Sequence, residues 1–162
     1  MVDDVVRTLG FLCMGSRFRR IGERLQADTQ QIIEEYGIVI QAAQYPFLAA
    51  LDRAGALTIG ELAQAVGITQ PGATRTVSQL LELGLVDMQA APDDQRRRLI
   101  SLSRKGQELV DYSKQSVWPR ISAAVADLCG DLNGPILAQL AAIEDGLAEA
   151  ALARRAAKEE TT

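Results

Sequence analysis

The chain has 162 residues, a hydrophobic share of 48% and a formal net charge of −4, which predict one packed domain or one domain with an extension. It contains no histidine and only two distant cysteines, so a Ser-His-Asp or Cys-His active site is excluded, and no metal or cofactor site is expected. Neither an unbroken apolar run of roughly 18 residues nor a cleavable hydrophobic leader is found, so we expect a cytoplasmic protein.

The first predicted element is a long helix from Val5 to about Tyr36, or a helix broken near Gly10 and Gly15. Its apolar residues recur at helical spacing. They are Phe11, Phe18, Ile21, Leu25, Ile32, Ile33 and Tyr36. Four arginines cluster on its other faces, either as a solvated face or as a contact to phosphate groups or a partner subunit. They are Arg17, Arg19, Arg20 and Arg24.

A short helix is predicted next, after residues 37–40 break the pattern. It runs from Gln44 to Arg53, with Pro46 near its start and Gly55 after its end. Its apolar residues would pack on the segment that follows. They are Phe47, Leu48 and Leu51.

Two capped helices follow, joined by a turn that contains glycine. Thr58 and Glu61 form a capping box that starts the first helix, and Gly67 ends it. Thr69 caps the second helix, and Pro71 lies in its first turn, where a missing N–H costs nothing.

The second of these helices carries an apolar stripe at helical spacing and ends at Gly84, a typical C′ position. The stripe consists of Ala73, Val77, Leu80 and Leu81. Two short helices with such a turn predict a helix-turn-helix.

A β-hairpin is predicted after the helix-turn-helix. Leu85 to Met88 and Leu99 to Leu102 read as strands around a Pro-Asp-Asp turn, with Arg96, Arg97 and Arg98 beside the tip. A helix-turn-helix followed by a basic hairpin is a winged helix, which we interpret as a DNA-binding module. The fold class is therefore mainly α with a small β-hairpin.

The distribution of charge supports this interpretation although the chain is acidic overall. Six basic and four acidic residues lie from Arg75 to Lys105, which gives this segment a net charge of +2. The excess acid lies elsewhere. This balance favours specific binding by a dimer and argues against a non-specific nucleic-acid coat protein.

The C-terminal part is predicted to be helical. Ser103 caps a helix that runs to about Cys129, with a kink or break at Pro119. After a turn at residues 130–135, a last helix runs from about Pro135 to Ala156. The apolar stripes of the first and last helices exceed what a winged helix can cover. We therefore expect a homodimer in which these helices interleave, as suits a palindromic DNA site.

With these motifs, the chain resembles the multiple-antibiotic-resistance regulator (MarR) family of transcription factors from about residue 6 to residue 150. The wing carries the most specific likeness: Asp94-Gln95-Arg96 is followed by an apolar run and by L-S-x-x-G, which ends at Gly106. Residues 80–86 match the L-x-x-x-G-L-V that ends the recognition helix. Residues 15–21 also resemble a subgroup in which the regulator is fused to an acetyltransferase.

The resemblance implies a homodimer with winged-helix lobes, usually a repressor, often released by a small phenolic or other amphipathic ligand. Residues 1–162 are then a single MarR-like domain. Residues 1–43 form an N-terminal dimerisation segment, 44–106 the winged-helix DNA-binding lobe and 107–162 the C-terminal dimerisation helices.

The outward face of the recognition helix is predicted to contact DNA. Glutamine pairs with adenine and arginine with guanine in the major groove, whereas threonine and serine suit phosphate or the thymine methyl group. The alternative is a face of merely solvated polar residues. The predicted contacts are Thr69, Gln70, Thr74, Arg75 and Ser78.

The wing is predicted to contact DNA through its arginines. The resemblance implies that Asp94 and Arg96 pair and shape the tip. One of Arg96, Arg97 and Arg98 would enter the minor groove, and strand alternation places the first and third on one face. The alternative is a solvated hairpin end.

A ligand pocket is expected where the dimerisation helices meet the winged helix, with apolar and cationic walls that suit a small aromatic or phenolic acid. Its predicted lining is Arg17, Phe18, Tyr36, Tyr45, Phe47 and Trp118.

Cys13 leaves a redox alternative open. It lies in the first helix, where related organic-hydroperoxide sensors carry a reactive cysteine, but such a thiol needs activation. Its apolar neighbours Phe11, Leu12 and Met14 favour a buried packing cysteine instead.

Three functions are compared. A DNA-binding transcriptional regulator is favoured. A winged-helix module that binds an acidic protein is the second, and salt-dependent binding to a palindromic DNA would separate the two. An enzyme is suggested only by the acetyltransferase-fusion likeness. No catalytic residues are predicted, so we expect a protein that is not an enzyme.

Overall fold

A computed structural model describes residues 2–150 of the chain. Its helices are α1 (Val5–Thr8), α2 (Met14–Glu35), α3 (Tyr45–Ala54), α4 (Ile59–Val66), α5 (Gln70–Glu82), α6 (Arg104–Tyr112), α7 (Trp118–Leu128) and α8 (Ile136–Glu149). Its strands are β1 (Val86–Ala90) and β2 (Arg98–Leu102). The predicted fold class, mainly helical with one small hairpin, is confirmed. No helix within residues 2–150 has both the length and the apolar character that crossing a membrane requires.

The chain divides into two compact units, with the boundary between Ile121 and Ser122. The first contains helices α1 to α6 and the hairpin. In the second, the predicted turn cluster at residues 130–135 separates the end of α7 from α8. The predicted end of the last helix at Ala156 lies outside the described residues.

The N-terminal helix is interrupted once. The backbone of Gly10 has a φ of 55°, which is strained for residues with a side chain, and a 3₁₀ turn (Gly10–Cys13) separates α1 from α2. Gly15 lies inside α2, so the break expected there is absent. Asp4 caps α1, because its carboxylate accepts the N–H of Arg7 at 3.1 Å.

The caps predicted for the helix-turn-helix are confirmed. The Glu61 carboxylate accepts the N–H of Thr58 at 2.7 Å, while the Thr58 hydroxyl oxygen accepts the N–H of Glu61 at 3.2 Å. Gly67 ends α4 in the left-handed region, with a φ of 75°. Thr69 caps α5, and Pro71 lies in its first turn.

The apolar faces of α3, α4, α5 and β2 meet in one core. Its largest fully buried side chains in these elements are Phe47, Leu48, Leu62, Val77, Leu80 and Ile100. The core fixes which face of α5 remains on the surface.

The hairpin is antiparallel, with Val86 opposite Leu102 and Ala90 opposite Arg98. β1 begins one residue later and ends two residues later than predicted. Leu57 extends the sheet: its N–H donates to the Ile100 carbonyl at 2.9 Å and its carbonyl accepts the Ile100 N–H at 2.7 Å. This bridge ties the entrance of α4 to the wing.

The helix that begins after Ser103 continues through Pro119, where a kink or break was predicted. A π-helical turn (Ser113–Val117) joins α6 to α7, and no break occurs. In a regular helix the proline ring would clash with the carbonyl of Gln115, and the wider turn just before it accommodates the ring.

Candidate nucleic-acid interface

The two faces of α5 differ in burial. Ala73, Val77 and Leu80 are at most 1% exposed and hold the helix against the core. On the opposite side lie exposed polar residues at one-turn and two-turn spacing. They are Gln70, Thr74, Arg75 and Ser78. The structure therefore brings four of the predicted contacts together on one solvent-exposed helix face.

Hydrogen bonds within α5 decide what this face presents to a partner. The Thr74 hydroxyl donates to the Gln70 carbonyl at 3.0 Å, and the Ser78 hydroxyl donates to the Thr74 carbonyl at 2.9 Å. Their hydrogens are thus engaged, whereas the methyl group of Thr74 stays available. The guanidinium of Arg75 has no hydrogen-bond or ion-pair partner within residues 2–150, so its donors are unused.

Thr69 has a local structural role at the start of this face. Its hydroxyl oxygen accepts the Gly72 N–H at 3.4 Å and so caps the first turn of α5. The residue is exposed, as are the backbone groups of the turn that carries it.

The tip of the wing is shaped by two aspartates. The Asp94 carboxylate accepts the backbone N–H of Arg96 at 2.9 Å, and the Asp94 carbonyl accepts the N–H of Arg97 at 3.0 Å. Asp93 lies 3.4 Å from the Arg97 guanidinium. The expected pairing of Asp94 with Arg96 is thus made through the backbone N–H of Arg96.

The three wing arginines therefore differ in their partners. Arg97 is held by Asp93, whereas the guanidinium groups of Arg96 and Arg98 have no partner in the part of the chain that the structure describes. β2 begins at Arg98, so strand alternation does not assign faces to the first two. All three side chains are exposed.

The end of α5 contacts the start of α6. Three successive carbonyls accept hydrogen bonds there: Leu83 from the Lys105 ammonium at 2.7 Å, Gly84 from the Ser103 hydroxyl at 2.6 Å and Leu85 from the Ser103 N–H at 3.0 Å. We call this set of contacts the α5–α6 junction. Lys105 was predicted only as one of six basic residues between Arg75 and Lys105. Its bond to Leu83 was not predicted, because no local signal reveals a contact across 22 residues.

A second missed contact involves a glutamine on α5. The buried amide of Gln44 donates to the side-chain oxygen of Gln79 at 3.1 Å. Gln44 also closes a capping box with Gln41 at the start of the short 3₁₀ turn Ala42–Gln44. Gln79 is exposed as well, but its side-chain oxygen is engaged by a residue outside α5.

The predicted ligand residues do not line one cavity within the chain. Arg17 and Phe18 line a cavity of about 420 Å³ beside the Gly10 turn. Phe18 and Tyr36 are separated by about 27 Å of helix at 1.5 Å per residue. The other residues predicted to line the pocket lie in the core or pack against it.

The core position of these members is defined by their contacts. Phe47 is buried, and the Tyr45 ring meets Trp118 edge-on at a centroid distance of 5.6 Å. The Tyr45 hydroxyl lies 2.9 Å from the Ser113 hydroxyl, and burial raises the pKa of Tyr45. The Tyr36 hydroxyl donates to the Ser116 carbonyl at 3.2 Å. These contacts leave the four aromatic side chains with structural roles.

Cys13 is a half-buried free thiol at the N-cap of α2, and Cys129 is also free. Within residues 2–150, no group of three or more His, Cys, Asp or Glu side chains is placed to hold a metal ion.

Comparison with known proteins supports the interpretation of the helix-turn-helix and hairpin as a winged helix. The MarR family model matches residues 40–97. An uncharacterized HTH-type transcriptional regulator of Mycobacterium leprae is 34% identical over 77 residues, which are 48% of this chain and 54% of that protein. The chain thus spans about half the length of the curated relatives it matches.

Two solved structures of similar fold extend the likeness. One concerns the regulation of DNA binding of Bordetella bronchiseptica BpsR by 6-hydroxynicotinic acid; it has 25% identity and a TM-score of 0.69, over 85% of this chain and 94% of that one. The other is the transcriptional repressor CouR bound to a 23-mer DNA duplex, with 25% identity and a TM-score of 0.70, over 81% of this chain and 92% of that one.

Proposed function

We propose that this chain is a MarR-like, sequence-specific DNA-binding transcriptional regulator, a proposal that the match of residues 40–97 to the MarR family model supports. The observation that carries the proposal is the exposed polar face of α5. This face holds Arg75, whose guanidinium is unused within residues 2–150, opposite a fully buried apolar face. A helix with this division suits the major groove, where base edges offer acceptors to arginine and glutamine.

The proposed contacts follow from the donors that remain available. Arg75 reads a base edge through two donors and Gln70 through one donor and its amide oxygen, while Thr74 presents its methyl group to thymine. In the wing, the guanidinium groups of Arg96 and Arg98, which have no partner among residues 2–150, contact the minor groove or the phosphates. Arg97 has to leave Asp93 before it can contact DNA.

We further propose a homodimer that represses transcription from a palindromic site. In the N-terminal segment, Phe11 and Leu12 are 91% and 82% exposed, and a second copy would remove this apolar surface from water. A twofold dimer presents two α5 helices to two half-sites about 34 Å apart, one turn of B-DNA. A dimer bound across a promoter blocks access of RNA polymerase.

We also propose a small aromatic acid as the effector. The cavity of about 420 Å³ beside Gly10 combines the walls of Phe11, Met14 and Phe18 with the cation of Arg17. An aromatic ring would pack on the apolar walls and a carboxylate would pair with the guanidinium. The neighbour BpsR is regulated in its DNA binding by an aromatic acid, which supports this choice of class.

The DNA proposal is tested by selection from a randomised duplex pool. The full chain should enrich an inverted repeat and retard it in gels with a stoichiometry of two chains per duplex. A pool that remains random after repeated selection would reject the proposed function.

The effector is tested on the selected duplex with 6-hydroxynicotinic acid and salicylic acid as probes. Release from DNA by either acid, lost in Arg17→Met, supports the cavity. Release that persists in Arg17→Met places the effector elsewhere, and no release by either probe contradicts this effector class.

A further inference from the structure

The carbonyls of residues 83–85, at the C-terminal end of the recognition helix α5, all accept hydrogen bonds from residues at the start of α6. The helix first closes its own end, since the Leu85 N–H donates to the Leu80 carbonyl at 3.0 Å and the Gly84 N–H to the Leu81 carbonyl at 2.9 Å. This is a Schellman motif, which leaves the following carbonyls without partners from the helix itself. The acceptors of the junction are therefore the groups that no bond within α5 satisfies.

The donors of the junction belong to Ser103 and Lys105, which follow the wing in the sequence. The Ser103 N–H and hydroxyl donate to the carbonyls of Leu85 and Gly84, and the same hydroxyl oxygen accepts the Gly106 N–H at 3.0 Å. Ser103 thus caps α6 and ties it to the end of α5 with one side chain. The junction fixes the two helices to each other at backbone level.

Lys105 adds a charge to this connection. Its ammonium donates to the Leu83 carbonyl at 2.7 Å, at the helix end where the macrodipole is negative. A charge-assisted bond in this place is stronger than a neutral one. Lys105 is exposed, but its ammonium is engaged by the end of α5 and is not an unpaired cation.

The space at the junction is closed to any extra atom. A Cβ on Gly106 would lie 1.9 Å from the Leu85 carbonyl oxygen, far inside van der Waals contact. The start of α6 thus lies directly on the backbone that leaves α5. The end of α5 cannot shift toward α6, and only loss of the bonds would let it move away.

We propose that Lys105 is a positioning residue for sequence-specific DNA recognition, which acts by holding the C-terminal end of α5 through the Leu83 carbonyl. This inference rests on the proposed function. Arg75 and Gln70 lie on the same rigid helix, so a tilt at its end displaces them from the base edges. Contacts to bases need close alignment, whereas contacts to phosphates tolerate a small tilt. Loss of Lys105 therefore lowers discrimination more than it lowers overall DNA affinity.

Lys105→Met tests this role, because the methionine side chain has the length of the aliphatic stem of lysine and lacks the ammonium donor. Arg104→Met is the matched control: it removes the same charge one residue earlier, from a side chain that is 93% exposed and paired only with Glu108. Affinities are measured for the selected duplex and for a random duplex at several salt concentrations. Thermal melting of both variants checks that they are folded.

Lys105→Met should bind the selected duplex about tenfold less tightly, the change that a charge-assisted bond of roughly 1.4 kcal/mol produces, with the random duplex bound as before. The salt slope should not change. Lys105→Arg, which keeps a cationic donor, should restore discrimination, and Arg104→Met should preserve it. An equal loss on both duplexes with a slope reduced by about 0.9 would show a phosphate contact and overturn the proposal.

A second measurement is independent of DNA. The carbonyl carbon resonance of Leu83 should shift in Lys105→Met and stay in place in Arg104→Met. An unmoved resonance would contradict the junction itself. Failure of the wild-type chain to select any duplex would reject the proposed function, and this resonance would then still report whether Lys105 holds the end of α5.

Discussion

The winged-helix lobe (residues 44–106) and the start of the N-terminal segment (residues 2–21) belong to the same compact unit, but only the lobe buries its apolar residues. In the winged helix, Phe47, Leu62 and Leu80 are at most 2% exposed. In the N-terminal segment, α1 and the 3₁₀ turn bury no residue. The same helical spacing of apolar residues therefore describes a core in one region and an uncovered surface in the other.

This difference separates the residues that stabilise the fold from the residues that would bind a partner. The winged helix satisfies its apolar faces within one chain and leaves a polar face of α5 outside. The N-terminal segment leaves phenylalanine and leucine in water, which costs free energy unless another surface covers them. We infer that the first region determines DNA recognition and the second determines association.

The largest expected effect comes from breaking the core of the winged helix. Leu80→Ala removes a fully buried side chain from α5, and the free energy of unfolding should fall by about 2–5 kcal/mol. Chemical denaturation measures this loss. Leu12→Ala is the matched control, and a similar loss there would erase the contrast between the two regions.

The caps that bound these helices could be predicted because their signals are local. Thr58 and Glu61 are three residues apart, and Gly67 ends α4 with the backbone that glycine favours. Arg75 could be placed on the exposed face because the helical period fixes the buried positions. Local chemistry thus predicted the winged helix and the exposed polar face of α5.

The contacts that the sequence did not reveal join distant residues. Lys105 meets the Leu83 carbonyl across 22 positions, and Gln44 meets Gln79 across 35. Nothing in the local pattern distinguishes such a lysine from a cation that faces DNA. For the same reason, Arg17 and five aromatic residues were predicted to line one ligand pocket, although about 27 Å of helix separates Phe18 from Tyr36.

The next largest effect concerns the N-terminal segment. Phe11→Glu should weaken the dimer by about 1.5–3 kcal/mol per chain, the value of burying one such side chain, and leave the unfolding of the single chain nearly unchanged. Sedimentation at several concentrations measures the dissociation constant. A dimer as tight as the wild type, or a wild-type chain that is monomeric throughout, would contradict the proposed role of this surface.

In the wing, charge should matter through the salt dependence of binding. Arg97→Ala combined with Arg98→Ala should weaken binding to all duplexes and reduce the slope of log K against log salt by about 0.9 for each lost phosphate contact. The dimer should persist, as size-exclusion chromatography would show. Asp94→Ala should loosen the tip, because this carboxylate holds the Arg96 N–H. An unchanged slope in the double variant would remove the wing from the interface and favour the protein-binding alternative.

The smallest expected effect concerns the contacts that hold α3 to α6 and to the π-helical turn that follows it. Lys114 and Gln107 hydrogen-bond to the Asp52 carboxylate and lower its pKa below the usual 3.8. A carboxyl group with a lowered pKa in the folded state stabilises above the unfolded value and loses this contribution as pH falls through the folded value. Asp52→Asn should therefore cost about 1 kcal/mol at neutral pH and little below about pH 3. Denaturation at both pH values measures this, and a cost that does not depend on pH would contradict the ion pair.

Arg75→Ala tests whether the exposed face of α5 reads DNA sequence. Affinity should be measured for the selected duplex and for a random duplex, with Arg53→Ala as a control that removes an exposed arginine from α3. Arg75→Ala should lose about 1–3 kcal/mol on the selected duplex and relax preference at one base position, while random binding changes little. An equal loss on both duplexes, or the same result from Arg53→Ala, would show that this face does not read the sequence.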